Sequence, residues 1–168
     1  MLTGKSLINL PIYATTDGVK LGDIQEIYLN SAASIITAIA VGKEGLFNKK
    51  IYVVPRDAIT VFGVDTWLVL NSEAVMNLED VPQSATFIAL SKLKGRQINT
   101  DGGTAIAAFD DAIFDSDGDV LGFTLSKIAV KGPIADRKTI SRHALLDLGN
   151  DKTPAIASLS KAESLPIE

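Results

Sequence analysis

Apolar residues along this chain fall in short runs separated by turn residues roughly every 8–12 positions, and the order of the runs occurs twice. Asp17-Gly18, the series Leu21, Ile24, Ile27 and Leu29, the strand Ile35 to Val41 and the corner Pro55-Arg56-Asp57-Ala58-Ile59 come first. They return as Asp101-Gly102, the series Ile106, Phe109, Ile113 and Phe114, the strand Val120 to Leu125 and the corner Ser141-Arg142-His143-Ala144-Leu145. A self-similar period of about 85 residues predicts an internal duplication, with two similar small domains in one chain. Val81-Pro82-Gln83-Ser84 interrupts the pattern, so the boundary is placed near Pro82, with domains at 1–82 and 83–168 and a short tail on the second.

Within the first unit, Ile8 to Tyr13 reads as a short strand that Pro11 confines to a sheet edge or strand end. Lys20 to Asn30 reads as one long strand bulged around Asp23 to Glu26, although Leu21, Ile24 and Ile27 alone also fit a helical face. Ser34 to Val41 alternates weakly, as a strand buried on both sides does, and Gly42 to Lys49 reads as a loop. Lys50 to Pro55 is the next strand, Arg56-Asp57-Ala58 a tight turn or short 3-10 piece, and Val61-Phe62 with Trp67 to Leu70 a hairpin. Ser72 to Asn77 reads as a brief helix or an irregular link. After Asp151 the apolar pattern fades into a Ser/Lys/Glu tail, which predicts a short or frayed last strand. Helical periodicity is nearly absent. The expected fold is all-β: two tandem small antiparallel β-barrels, closed or nearly closed, since closure removes exposed strand edges.

Composition adds limits. The chain has 168 residues, and a unit of half that size buries only about 60% of its unfolded surface, so extensive contact between the halves is expected. With 46% hydrophobic but only 6% aromatic residues, the core must be built from Ile, Val, Leu and Ala. Cysteine is absent, which excludes disulfides, thiolate nucleophiles and cysteine-bound zinc. A net charge of −4 opposes general affinity for polyanions. Met1 to Ser6 lacks the pattern of a secretory signal, and the longest weakly polar run, Ala32 to Val41, is far short of the ~20 residues that span a bilayer. The expectation is a soluble, cytoplasmic protein.

Candidate chemistry is sparse. Asp115, Asp117 and Asp119 have the opening spacing of a calcium loop, but Val120 stands where glycine is required and Ser126 where the bidentate Glu belongs. An acidic hairpin turn, its carboxylates bonded to nearby backbone N–H groups, is the expected state. His143 is the only histidine; a serine-based set with Asp147 or Asp136 has no Gly-x-Ser-x-Gly elbow, so His143 reads as a corner residue. The glycines lack the setting of a phosphate cradle. Trp67 and Phe62 are expected inside the first unit. Lys127, Lys131, Arg137, Lys138 and Arg142 form a basic set that suits RNA phosphates, but no aromatic residue for base stacking lies around it. No catalytic set, metal site or cofactor is expected. The candidate binding residues are the acidic segment Asp110, Asp111, Asp115, Asp117 and Asp119 and the basic segment Lys131, Arg137, Lys138 and Arg142, which would orient a protein partner.

The segment Ile8-Asn9-Leu10-Pro11-Ile12-Tyr13, followed by Asp17-Gly18-Val19-Lys20-Leu21-Gly22-Asp23-Ile24, resembles the PRC-barrel family, named after the photosynthetic reaction centre. The corner at Pro55 to Ile59 and the strand Asp65 to Leu70 extend the likeness, and Asp115 to Phe123 is similar to the family's acidic hairpin. One departure is Ala105-Ile106-Ala107, which lacks the apolar-Gly step of Leu21-Gly22. The resemblance covers roughly residues 4–80 and 90–157. It implies a non-enzymatic docking module: related barrels occur in the H subunit of bacterial reaction centres and in a ribosome maturation factor that contacts a small-subunit ribosomal protein. The leading expectation is therefore a binding and assembly protein that docks a partner protein. Alternatives are an RNA- or ribosome-associated factor and a small-molecule enzyme with a site between the barrels. Homodimerisation fits small barrels that gain from further burial.

Overall fold

β-Branched and aliphatic side chains at alternating positions favour strands, and strands dominate residues 1–44 and 50–167, which the computed structural model describes. The first half contains β1 (Leu2–Thr3), α1 (Gly4–Leu7), β2 (Pro11–Ala14), β3 (Lys20–Asp23), β4 (Glu26–Leu29), β5 (Ile36–Glu44), β6 (Lys50–Pro55), β7 (Ile59–Phe62) and β8 (Trp67–Val69). A connecting stretch carries β9 (Met76–Asn77). The second half follows with β10 (Ile88–Ala89), α2 (Leu90–Leu93), β11 (Gln97–Thr100), β12 (Ala105–Phe114) and β13 (Val120–Ser126). It ends with α3 (Pro133–Arg137), β14 (Thr139–Ser141), β15 (Leu145–Asp147), β16 (Ala155–Ala157) and α4 (Leu159–Ser164).

Three sheets result. The first half has a sheet ordered β3-β2-β8-β7 and another ordered β10-β4-β5-β6-β9; the second half has β14-β13-β12-β11-β16-β15, with β1 added to β12. The fold is all-β in character, yet among the described residues none of the sheets closes on itself. Each half carries a 3-10 corner, Arg56–Ala58 between β6 and β7 or Arg142–Ala144 between β14 and β15. Nor is the pairing wholly antiparallel. The corner bends the chain without a hairpin reversal, so the last strand returns parallel to the first, β8 on β2 and β16 on β11.

Several local expectations need correction. The segment read as a strand from Ile8 follows a helical turn, α1, capped by Thr3 and Ser6, and opens with a turn at Ile8-Asn9; the strand starts only at Pro11, which needs no ladder N–H there. The long strand Lys20 to Asn30 is two strands in different sheets, broken at Ile24-Gln25. Gly22 permits that break: its φ is +147°, and a Cβ there would lie 2.7 Å from the carbonyl oxygen of Val41. The second half has no glycine at this point, and β12 runs through unbroken, bulged between Phe109 and Asp111. Gly42 belongs to β5, while residues 45–49 of the expected loop lie outside the described residues. The chain beyond Asp151 is ordered: β16 sits between β11 and β15, and α4 follows with Ala162 buried.

The two sheets of the first half and the curved sheet of the second enclose one hydrophobic cluster. It runs from Ile12, Ile27, Ile39 and Trp67 to Leu93, Ile98, Phe109, Phe114, Phe123 and Ile140 without interruption. Phe62 meets Trp67 edge-on at 4.8 Å, and Phe109 meets Phe123 likewise at 4.8 Å. The weak alternation of Ser34 to Val41 has its cause here. Ile36 and Ile39 face the core, while Ala38 and Ala40 are covered from outside by Met76, Leu78, Phe87 and Ala89.

A continuous core predicts that the halves unfold together. Phe123→Ala should cost about 3–5 kcal/mol. It should lower the denaturant midpoint equally by far-ultraviolet circular dichroism and by fluorescence of Trp67, which lies in the other half. A Trp67 transition left in place while the dichroism splits in two would refute the coupling.

Candidate partner-binding surfaces

The halves are joined by a reciprocal exchange. β1, from the start of the first half, pairs with β12 of the second (Leu2 with Phe114, Thr3 with Ile113). β10, from the start of the second half, pairs with β4 of the first (Ile88 with Leu29, Ala89 with Tyr28). Each short strand leads into a helical turn whose first amides meet a carboxylate of the other half. Lys5 N–H donates to Asp111 Oδ2 at 2.9 Å, and Ser91 N–H to Glu26 Oε1 at 3.4 Å. The backbones approach so closely that a Cβ on Gly4 would sit 2.3 Å from Asp111 Oδ1.

This seam takes up part of the acidic segment. Asp111 is buried, and its carboxylate also accepts from the N–H of Ala112 at 2.9 Å. Asp110 lies at the rim of a cavity of ~230 Å³ lined by Lys5, Ile8, Gln25, Glu26, Leu90 and Lys94 among others. Lys5 Nζ approaches Asp110 at 2.9 Å and Lys94 Nζ at 3.7 Å. The hydrogen bond from Lys5, opposed by desolvation and aided by both ammonium charges, holds the Asp110 carboxyl below its ordinary value. Lys5 is correspondingly raised, first by the hydrogen bond to Asp110.

The acidic turn itself is an Asx turn. Asp115 Oδ1 accepts from the N–H groups of Asp117 and Asp119, both at 2.9 Å. The turn docks on the first half, where Ile36 N–H donates to the Gly118 carbonyl at 2.9 Å and Val120 N–H to that of Ser34 at 2.8 Å. Arg56 closes the contact by donating to Asp119 Oδ1 at 3.3 Å and to the Asp117 carbonyl, 5.8 Å above the Phe62 ring. Among the described residues no group of three or more acidic or histidine side chains is placed to hold a metal ion.

The basic segment does not converge either. Arg137 is committed internally. Its guanidinium donates to the carbonyls of Ala162 at 2.7 Å, Glu163 at 2.8 Å and Leu165 at 3.1 Å, capping the end of α4. Lys127, Lys131 and Lys138 are exposed on loops around α3, and Arg142 lies apart in a groove with Ser31 and Ala32 of the first half. His143 is exposed beside a cavity of ~370 Å³ with Val120, Leu121, Ser141, Leu165 and Pro166. Trp67 is fully buried. Sequence reading missed Lys5, Glu26 and Lys94. The signal available was the capping pair Thr3 and Ser6, which marks a helix start and hence a set of free amides.

One sheet face points outward with apolar side chains. On β3-β2-β8-β7, Tyr13 stands opposite Leu68, and Leu68 opposite Val61, in one cross-strand row edged by Lys20. Tyr13 is 36% and Val61 45% exposed, with Leu70 at 61% and Val64 at 76% nearby. The inward rows, Ile12 with Trp67 and Ala14 with Val69 and Ile59, are buried.

Residues 1–75, which build this face and its corner, match the PRC-barrel domain. The likeness to the PRC-barrel family is carried by this segment. The match ends before β9, so the outward row, the Gly22 break and the Arg56 corner lie within the PRC-barrel domain while the acidic turn does not. Among curated proteins, none matches the chain. No helix among the described residues is long and apolar enough to cross a membrane.

Two outcomes test these assignments. The contribution of Asp110 to stability is full above its ordinary value of 3.8 and is lost as pH falls through its lowered folded value. Between about pH 5 and about pH 2, Asp110→Asn should therefore lose less of its urea midpoint than the wild type; equal losses would remove Asp110 from the acid limb. Arg137→Lys keeps the charge but not the planar fork. It should loosen α4 by about 2 kcal/mol, read as faster proteolytic trimming after Ser158 with the remaining sheets intact. Trimming at the wild-type rate would show that the cap is dispensable.

Proposed function

We propose that the protein is a non-enzymatic docking and assembly module that holds a partner protein on the outward face of its PRC-barrel domain. The observation that carries this reading is the outward apolar row Tyr13, Leu68 and Val61, with exposed Leu70 directly after β8. β7 forms an open edge of that sheet, so a partner strand has ladder groups to pair with as well as side chains to cover. The match of residues 1–75 to the PRC-barrel domain supports a binding role in general.

The second half we read as a diverged copy of the same domain, 83–168 following 1–82. In support, both halves run from a helical turn through the same succession of strands to a 3-10 corner, and both place first and last strands parallel. The absence of cysteine suits a reducing compartment, and we place the protein in the cytoplasm. RNA contact has less support. Arg137 is spent on carbonyls, and no aromatic residue follows Phe123 to stack a base near Lys127, Lys131 and Lys138.

Tagged full-length protein should capture a protein partner, and Val61→Glu with Leu70→Glu should abolish capture at unchanged thermal stability, because both positions are exposed. Capture that survives both substitutions would reject this face. Ribonuclease-sensitive capture that falls steeply with salt would favour RNA instead. A dimer converted to monomer by the same pair would identify a second copy as the occupant.

A further inference from the structure

Two arginines hold the same place in the two halves. Arg56 opens the 3-10 turn between β6 and β7, and Arg142 opens the one between β14 and β15. Each lies beside the hairpin turn of the opposite half. The turn beside Arg56 supplies the Asp119 carboxylate and the Asp117 carbonyl. The turn beside Arg142 is Asn30-Ser31-Ala32-Ala33-Ser34, which contains no acidic residue. Ile35 pairs directly with Asp119 where the two turns meet, so an isoleucine occupies the place that holds the carboxylate in the other turn.

Among the described residues the guanidinium of Arg142 consequently makes no hydrogen bond or ion pair, and only its backbone carbonyl is engaged, by the N–H of Leu145. It lines an open groove of ~400 Å³ with Ser31, Ala32, Ile88, Leu145, Leu146 and Leu148. Leu146 is 56% exposed. The carboxylate on the groove wall, Asp147, is turned to its own loop, where it accepts the N–H of Gly149 at 2.7 Å. A half-buried guanidinium beside aliphatic walls is a site for a carboxylate whose neighbours are apolar.

We infer that this groove receives an acidic turn of a partner protein, an aspartate pairing with Arg142 while flanking apolar residues cover Ile88, Leu146 and Leu148. The chain contains a copy of the occupant's chemistry, since Asp115 to Asp119, flanked by Phe114 and Val120, is what the Arg56 corner holds. The inference rests on the docking reading and adds to it a second contact of stated chemistry. Aliphatic walls without a ring favour such a turn over a nucleotide, which needs a stacking partner.

The test uses the full-length protein, isotopically labelled, and a cyclic peptide copying residues 114–121, Phe-Asp-Ser-Asp-Gly-Asp-Val-Leu. Amide shifts should gather at Ser31, Ala32, Arg142 and Leu146. Affinity should fall about tenfold or more for Arg142→Ala and for the peptide with asparagine at its three acidic positions. Arg142→Lys should recover part of the loss. Among the described residues Arg142→Ala removes no side-chain hydrogen bond, so its spectrum should keep native dispersion. Shifts elsewhere, no binding at millimolar peptide, or equal affinity for the asparagine peptide would overturn the assignment. So would an oligouridine that moves the same amides at lower concentration. If Val61→Glu abolishes partner capture while the peptide ignores Arg142, the sheet-face reading stands and the groove falls. If the peptide binds through Arg142 while capture survives Val61→Glu, the groove stands and the sheet face falls.

Discussion

The exchange of leading strands between the halves sets the terms for everything else in the molecule. Each half is too small to bury much of its surface alone, and each would expose one side of β4 or of β12 as an unpaired edge. β10 fills the first edge and β1 the second. Because each short strand runs straight into a helical turn, the same exchange delivers free amides to Asp111 and Glu26. It also brings the 30–35 and 115–119 turns together, where Ile35 pairs with Asp119. The hydrophobic cluster crosses this junction without a break, so the halves share one core.

Charge is deployed along that junction, and its energetic meaning differs by burial. Lys5 and Lys94 around Asp110 are largely exposed and serve registration more than stability, since such pairs contribute little in water. Asp111 is another matter. Its buried carboxylate depends on two backbone N–H donors, one from each half, and losing the Lys5 donor would leave a buried charge with the Ala112 N–H alone. Arg56 falls between these cases, half-buried over Phe62 with an aspartate at the surface. The acidic residues that a sequence offers as a partner surface are thus largely used by the chain to recognise itself.

Elements whose determinants are local were legible. The strand Lys50 to Pro55, the 3-10 piece Arg56 to Ala58, the Asx turn at Asp115 and the burial of Trp67 each follow from adjacent residues, and each occurs as the pattern implies. Elements whose partners are distant in sequence were not. β1 and β10 have two residues each, too few for a period, and are strands only because β12 and β4 lie beside them. The break at Gly22 and the unbroken β12 were half legible: the missing glycine at Ala107 was visible, but not that its absence would straighten the strand. Arg137 shows the limit for charge. A basic residue that caps three carbonyls at a helix end reads the same in sequence as one that meets a ligand.

Differences between the halves then carry more functional meaning than their likeness. Where one turn is acidic, the corner arginine opposite is satisfied and the contact is closed with Phe62 beneath it. Where the other turn is Asn-Ser-Ala-Ala-Ser, the arginine opposite keeps its charge beside leucines and the contact stays open. Two acidic turns would have tied both corners symmetrically and left no unpaired guanidinium, whereas two neutral ones would have weakened the junction at both ends. One of each keeps the halves locked while freeing a single corner. On the docking reading proposed above, two arginine corners combine a rigid internal joint with an asymmetric outer surface, because the joint fills only one of the two arginine contacts from within.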